Sequence, residues 1–207
     1  MLTLTGYYWP SLWLVYLFKP LATLLLILIA RFHWIANRSA YARWIVIGLM
    51  FSFVGDVLLI WPDHYFLPGL AAFLLTHVTY LIAFTRDRRF PARFSIWLAY
   101  LAFAAAFYTL LFATLPSRLR LPVLLYAAVL STMAGQAMGN FLELKAPPAQ
   151  RAAVGALLFL LSDLLLAFDR FRRPLLYSTI LILTPYYIGQ WLIASSTSGA
   201  CTASRPR

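Results

Sequence analysis

The chain has 207 residues, of which 63% are apolar and 11% are charged, and its formal net charge is +11. This composition lies far outside that of soluble domains and matches the integral membrane class. The excess of positive charge does not indicate nucleic-acid binding, because the basic residues fall in short clusters between apolar runs and form no continuous basic face.

Apolar runs of about twenty residues follow one another along the chain, each long enough to cross the roughly 30 Å of bilayer hydrocarbon as a helix. Seven spans are predicted, at 7–30, 41–60, 65–84, 94–115, 121–141, 152–168 and 175–195. In the first, Lys19-Pro20 indicates either a kinked span or the start of a shorter helix. No cleavable signal peptide is evident. The sequence therefore predicts an all-α polytopic transmembrane bundle, a single domain over 1–207 with a short polar tail at 196–207.

The basic residues of the connecting segments predict the orientation of this bundle. With seven spans, eleven of them share one side of the membrane: Arg31, Arg38, Arg43, Arg86, Arg88, Arg89, Arg93, Lys145, Arg151, Arg205 and Arg207. The other side collects five: Arg118, Arg120, Arg170, Arg172 and Arg173. Because cytoplasmic loops are enriched in Lys and Arg, we expect the N-terminus outside and the C-terminus in the cytoplasm.

Two aspartates lie inside predicted spans, where an ionisable side chain must find a partner in the bundle or a wet cavity. Asp56 has Ser52 one turn before it, and Ser162 adjoins Asp163. One interpretation is structural, with each carboxyl group fixing the bundle through a hydroxyl, a lysine or an amide. The other is a functional site in which two nearby carboxyl groups divide into one acid and one carboxylate.

Other polar side chains share helix faces inside the spans. His77 and Tyr80 are three residues apart, so they lie on one face, with either a core or a substrate-orienting role. No metal site is predicted, because His33 and His64 are expected in loops near opposite membrane faces and cannot join His77 in a zinc cluster.

Two further positions carry polar groups at or inside the spans. Lys19 either snorkels to the surface as an anchor, holds a phosphate, or neutralises an aspartate. Tyr186 and Gln190 are four residues apart in the last span, next to Pro185, which can free a backbone carbonyl for a ligand.

Part of this pattern occurs twice at a constant offset. Gly48, Asp56 and Tyr80 recur as Gly155, Asp163 and Tyr187. An offset of four helices preserves direction across the membrane, as in parallel-repeat transporters, although chance matches are easy in Leu-rich sequence.

Taken together, these motifs resemble the YhhN-type lysoplasmalogenase family of polytopic membrane proteins. The segments that carry the resemblance are Lys19-Pro20-Leu21, Gly55-Asp56-Val57-Leu58-Leu59, Phe66-Leu67-Pro68-Gly69, Ala72-Phe73 with His77 and Tyr80, Gly155 to Phe159 with Ser162-Asp163, and Tyr186-Tyr187 with Gln190. Family members usually have another apolar segment before the Lys-Pro helix and eight spans overall, and this chain departs from that pattern at its N-terminus.

The resemblance implies an intramembrane hydrolase that cleaves the vinyl ether of lysoplasmalogens, giving a fatty aldehyde and a glycerophospho-alcohol, with no cofactor. Asp56 and Asp163 would be catalytic, one protonating the alkene and the other stabilising the cation or activating water. The substrate-binding or orienting residues would be Lys19, His77, Tyr80, Ser162, Tyr186, Tyr187 and Gln190. A lysophospholipid would enter from the bilayer, and the protein would lie in a bacterial inner membrane.

Two other classes of function fit the same residues. A proton-coupled transporter of small solutes would also place aspartates inside a helical bundle, and a parallel repeat would favour it. A noncatalytic lipid-binding or scaffold protein would need the aspartates for stability alone. The sequence does not indicate how many copies assemble.

Overall fold

The computed structural model describes residues 9–198, with side chains from Lys19 onward; residues 1–8 and 199–207, which hold the start of the first predicted span and most of the predicted tail, lie outside the described residues. The helices are α1 (Trp9–Asn37), α2 (Ala40–Leu58), α3 (Pro62–Thr85), α4 (Phe94–Phe112), α5 (Ser117–Leu144), α6 (Pro147–Phe171) and α7 (Ser178–Ser195). A 3₁₀ turn at Ser196–Ser198 follows α7, and the described part contains no strand. The all-α prediction is confirmed.

Most of these helices are membrane spans by length and composition. Within the described residues six qualify, namely α1 from Lys19 onward and all of α2 to α6. α7 is 18 residues long and packs into the same bundle. The helix count thus agrees with the prediction of about seven spans, and the protein is a multi-pass membrane protein.

The helices extend beyond the apolar runs that predicted them. α1 passes through Pro20 and continues to Asn37, so His33 lies in its last turns and not in the predicted loop. His64 likewise lies in the first turn of α3. The physical reason is that polar residues at the membrane surface keep helical geometry until a specific stop, such as the left-handed backbone of Lys145 at the end of α5.

The helices are arranged as a ring with one outlier. α1 packs on α2 and α7, α2 on α3, α3 on α5, α5 on α6, and α6 on α7, while α4 packs chiefly against the outside of α5. α6 and α7 approach closely at Gly155 and Gly189, where a Cβ added to Gly155 would lie 2.6 Å from the Gly189 carbonyl oxygen. Small residues permit such close backbone contact between membrane helices.

The bundle is apolar on its outer surface, and its largely apolar interior also contains a set of buried polar side chains. Large apolar side chains such as Leu28, Phe32 and Phe103 are more than half exposed on the outer surface, where they face lipid. Polar side chains with no exposed surface in the described residues are Thr23, Ser52, Asp56, Thr76, His77, Ser131, Gln136, Gln190 and Thr197. Lipid cannot hydrogen-bond these groups, and all of them except the Ser131 hydroxyl form hydrogen bonds with other side chains or with backbone of the described residues.

The two ends of the bundle differ in charge. The α1–α2, α3–α4 and α5–α6 connections form one end, which carries the larger number of basic residues. The α2–α3, α4–α5 and α6–α7 connections, at 59–61, 113–116 and 172–177, form the other, which we call the cavity end. The placement of these ends in the membrane stays a prediction.

Candidate active site

Asp56 lies in the last turn of α2 and is surrounded by donors. Its Oδ2 accepts hydrogen bonds from Thr23 Oγ1 at 2.6 Å and from the Tyr186 hydroxyl at 2.8 Å. Its Oδ1 lies 3.4 Å from Nζ of Lys19 and accepts no hydrogen bond from the described residues. A cation and two hydroxyl donors favour the ionised form of this carboxyl group, while its complete burial opposes ionisation.

A chain of polar groups extends from Asp56 towards α3. The Tyr186 hydroxyl lies 2.8 Å from Ser52 Oγ, to which Gln190 Nε2 donates at 2.5 Å. The Tyr80 hydroxyl in turn donates to Gln190 Oε1 at 2.6 Å. Tyr80 is therefore linked to Asp56 by hydrogen bonds through Gln190 and Tyr186.

Asp163, in the second half of α6, has a different set of partners. The Tyr126 hydroxyl donates to its Oδ2 at 2.6 Å, and His77 Nε2 lies 2.9 Å from that hydroxyl and 3.4 Å from the same Oδ2. Nδ1 of His77 has no partner among the described residues. Each member of this trio can both donate and accept a proton, which suits a carboxyl group that changes protonation state.

Both aspartates open into one space, the polar cavity. It has a volume of about 460 Å³, lies between α1, α2, α3, α6 and α7, and opens towards the cavity end. Its polar lining groups are those of Lys19, Asp56, Ser162, Asp163, Asp169, Arg170, Ser178, Thr179 and Tyr186. The Asp163 side chain is 12% exposed and that of Asp56 is 1% exposed. Asp163 thus presents more surface to a ligand.

His77 and Tyr80 share a helix face as predicted but serve different aspartates. His77 packs edge-on between the rings of Phe159 and Tyr126, beside Asp163. Tyr80 points to Gln190, on the Asp56 side. The structure therefore divides this pair between the two halves of the site.

Two other residues named from the sequence bond to backbone. The Ser162 hydroxyl donates to the Ile182 carbonyl at 2.8 Å, which links α6 to α7 near Pro185. The Tyr187 hydroxyl donates to the Lys19 carbonyl at 3.1 Å, which links α7 to α1. These two hydrogen bonds connect helices that form walls of the polar cavity.

Three residues at the site were not singled out from the sequence. Thr23 lies one turn after Lys19 on the same helix face, and this spacing could have identified it from the sequence as a neighbour of Lys19. Tyr126 lies in an apolar span without a motif, and no local pattern distinguishes it. Arg170 was counted only as a surface charge, yet it lines the mouth of the polar cavity, 3.0 Å from Asp63 Oδ1.

Within the described residues, no group of three His, Cys, Asp or Glu could hold a metal ion.

Comparison with known proteins places this geometry in context. Residues 14–197 match the model of the YhhN family. The chain is 35% identical to lysoplasmalogenase TMEM86A of Homo sapiens, over 90% of this chain and 79% of the relative. It is 35% identical to lysoplasmalogenase TMEM86B of Homo sapiens, over 89% and 75% of the two chains. It is 27% identical to the uncharacterized membrane protein YhhN of Escherichia coli O157:H7, over 89% and 87%. No solved structure matches significantly.

Proposed function

The chain belongs to the YhhN family, and from that premise we propose that it is a lysoplasmalogenase, a hydrolase of the vinyl ether bond of lysoplasmalogens. The products are a fatty aldehyde and a glycerophospho-alcohol, either glycerophosphoethanolamine or glycerophosphocholine. The relatives that carry the name lysoplasmalogenase support the reaction class. The observation that carries the proposal for this chain is the pair of carboxyl groups, with unlike partners, on one cavity.

Asp163 is the acid in this mechanism. Its carboxyl group gives a proton to the alkene carbon next to the one that bears oxygen, and the vinyl ether becomes an oxocarbenium ion. The contacts with Tyr126 and His77 support this assignment, because they hold the carboxyl group in place while its proton is lost. His77 and Tyr126 are positioning residues for this step.

Asp56 is the carboxylate. Its anionic charge stabilises the oxocarbenium ion, and its Oδ1, which accepts no hydrogen bond from the described residues, accepts a proton from the water that adds to the cation. When the resulting hemiacetal breaks down, Asp56 returns this proton to the ether oxygen as the carbon–oxygen bond breaks. Asp163 takes the hydroxyl proton, so both carboxyl groups regain their starting states and one water is consumed.

Arg170, at the mouth of the polar cavity, is the cation that binds the head-group phosphate. Lys19 is engaged by Asp56, which assigns it to holding that carboxylate ionised. Arg170 is 39% exposed, lies over the Phe66 ring and, among the described residues, forms its salt bridge with the 81% exposed Asp63, so its guanidinium can exchange that partner for a phosphate. It follows Asp163 by two helical turns, a rise of about 10 Å that the glycerol backbone and the long arginine side chain can span.

The location of the site follows from the same proposal. We place the protein in a bacterial inner membrane, with the N-terminus outside and the C-terminus in the cytoplasm. The distribution of Lys and Arg between the two ends of the bundle supports this orientation. The polar cavity then opens at the outer face.

The test is aldehyde release from lysoplasmenylethanolamine by detergent-purified protein, with Asp56→Asn, Asp163→Asn and a matched Asp87→Asn control at the far end of the bundle. The wild type and Asp87→Asn should be active, and each site variant should lose activity at least about 100-fold. In D₂O, the trapped aldehyde should carry one deuterium next to the carbonyl carbon. No release from folded wild type would overturn the proposal and favour the transporter, which predicts proton-driven uptake into vesicles.

A further inference from the structure

A second pocket lies directly behind Asp163. This apolar pocket has a volume of about 70 Å³ and lies between α3, α4, α5 and α6. It shares part of its lining with the polar cavity, namely Leu59, Phe66, Phe73, Asp163 and Leu166. The Asp163 carboxyl group therefore lies at the boundary between the two spaces.

The two spaces differ sharply in chemistry. The apolar pocket is lined by leucine, phenylalanine, alanine and valine, and its polar members are Tyr108, Tyr126, Ser131 and Asp163. The hydroxyl groups of two of these are already bonded, Tyr108 to the Arg120 carbonyl and Tyr126 to Asp163. A narrow space with this lining suits a hydrocarbon chain and not a charged head group.

A lysoplasmalogen has its scissile bond at the same kind of boundary, because the vinyl ether joins the polar glycerophosphate part to the hydrocarbon chain. Because about 70 Å³ is less than the volume of a whole fatty chain, we propose that the apolar pocket is the subsite for the part of the alkenyl chain next to the vinyl ether, with the head group in the polar cavity and the vinyl ether at Asp163. This inference rests on the proposed function and adds to it the binding direction of the substrate and the elements that select its chain.

The pocket selects by shape and not by affinity. A chain that leaves the bilayer for an apolar pocket exchanges one hydrocarbon environment for another, so little free energy is gained from hydrophobicity. Steric fit remains as the source of discrimination, because packed interiors tolerate extra volume poorly. α4 supplies Phe103, Ala104 and Phe107 to the lining. α4 is therefore the helix that determines which alkenyl chains are accepted.

The geometry of α4 offers a matched pair of variants. Ala104 is buried and lines the apolar pocket, whereas the adjacent Ala105 is exposed on the lipid-facing surface and outside the lining. Ala104→Phe fills the pocket, and Ala105→Phe adds the same ring to the same helix outside it. A difference between the two variants reports on the pocket itself.

The experiment measures kcat/KM for two alkenyl lysolipids with the same head group, one with a long chain and one whose chain is too short to reach Ala104. Ala104→Phe should lower the long-to-short ratio of kcat/KM about tenfold, and Ala105→Phe should leave it at the wild-type value. Phe107→Ala, which enlarges the pocket, should raise kcat/KM for a methyl-branched chain relative to a straight one. The inference would be overturned if Ala104→Phe and Ala105→Phe had the long-to-short ratio of an active wild type and Phe107→Ala had its branched-to-straight ratio. The proposed function would then still stand.

A second measurement is independent of turnover. A 1-O-alkyl lysolipid with a diazirine near the ether end of its chain has no vinyl ether and cannot be cleaved, so it reports binding alone. Cross-linking followed by peptide mapping should label residues 103–111 or 123–131, and prior Ala104→Phe substitution should reduce that label. Label confined to α1, α2 or α7 would overturn the inference, while an inactive wild type would overturn only the proposed function.

Discussion

Nζ of Lys19 on α1 lies 3.4 Å from Oδ1 of Asp56 on α2, in a pair whose side chains are 12% and 1% exposed. Nearly complete burial of Asp56 makes its negative charge depend on the positive charge of Lys19, because little of this carboxyl group can reach water. The pair thus links the position of α1 to the ionisation of the carboxylate.

Removing the cation alone should be costly. Lys19→Met leaves Asp56 buried without its counter-charge and is expected to lower the free energy of unfolding by about 3 kcal/mol. Lys19→Met combined with Asp56→Leu should recover most of that stability and remain inactive. Thermal unfolding in detergent measures the first effect and aldehyde release the second. Equal stability of the single and the double variant would contradict a buried, coupled pair.

The Tyr126 hydroxyl lies between His77 and Asp163 and should matter for the rate. Tyr126→Phe removes the bond to the acid and is expected to lower kcat about 10- to 100-fold with little change in KM. The control is Tyr100→Phe, which makes the same change on lipid-facing α4, away from both cavities. A rise in KM at constant kcat would show instead that Tyr126 only shapes the binding space.

Arg170 should control recognition of the head group. Arg170→Gln is expected to raise KM about tenfold for a phosphate-bearing substrate, with kcat nearly constant, because a charge-assisted contact is lost away from the scissile bond. Arg172→Gln changes a neighbouring arginine outside the cavity lining and should have no effect. Steady-state kinetics of both variants measures the two KM values. If they were equal, Arg170 would not bind the head group.

The contact between α6 and α7 should be sensitive to added volume. Gly155→Val places side-chain atoms against the backbone of α7 and is expected to lower the free energy of unfolding by about 2 kcal/mol. Leu157→Val alters a 43% exposed residue of the same helix and should cost less than about 0.5 kcal/mol. Thermal unfolding of the two variants measures the difference. Similar unfolding midpoints of the two variants would mean that α7 can move away from α6 without loss of stability.

The sequence by itself determined the spans, because long apolar runs and polar breaks act within about twenty residues of chain. It also placed Asp56, Asp163 and His77 in the membrane interior, since charged and polar side chains are conspicuous among apolar ones. It misjudged helix ends such as that of α1, where polar residues continue the helix beyond the hydrocarbon.

Only the tertiary structure decided which side chains meet. The joining of Lys19 to Asp56, and of Tyr126 to Asp163, depends on the order of helices around the bundle. In lipid, an apolar face is satisfied equally by a neighbouring helix or by acyl chains, so hydrophobic periodicity does not identify a helix's neighbours. Packing and hydrogen bonds between residues far apart in the chain make that choice, and they alone bring the two carboxyl groups to one cavity.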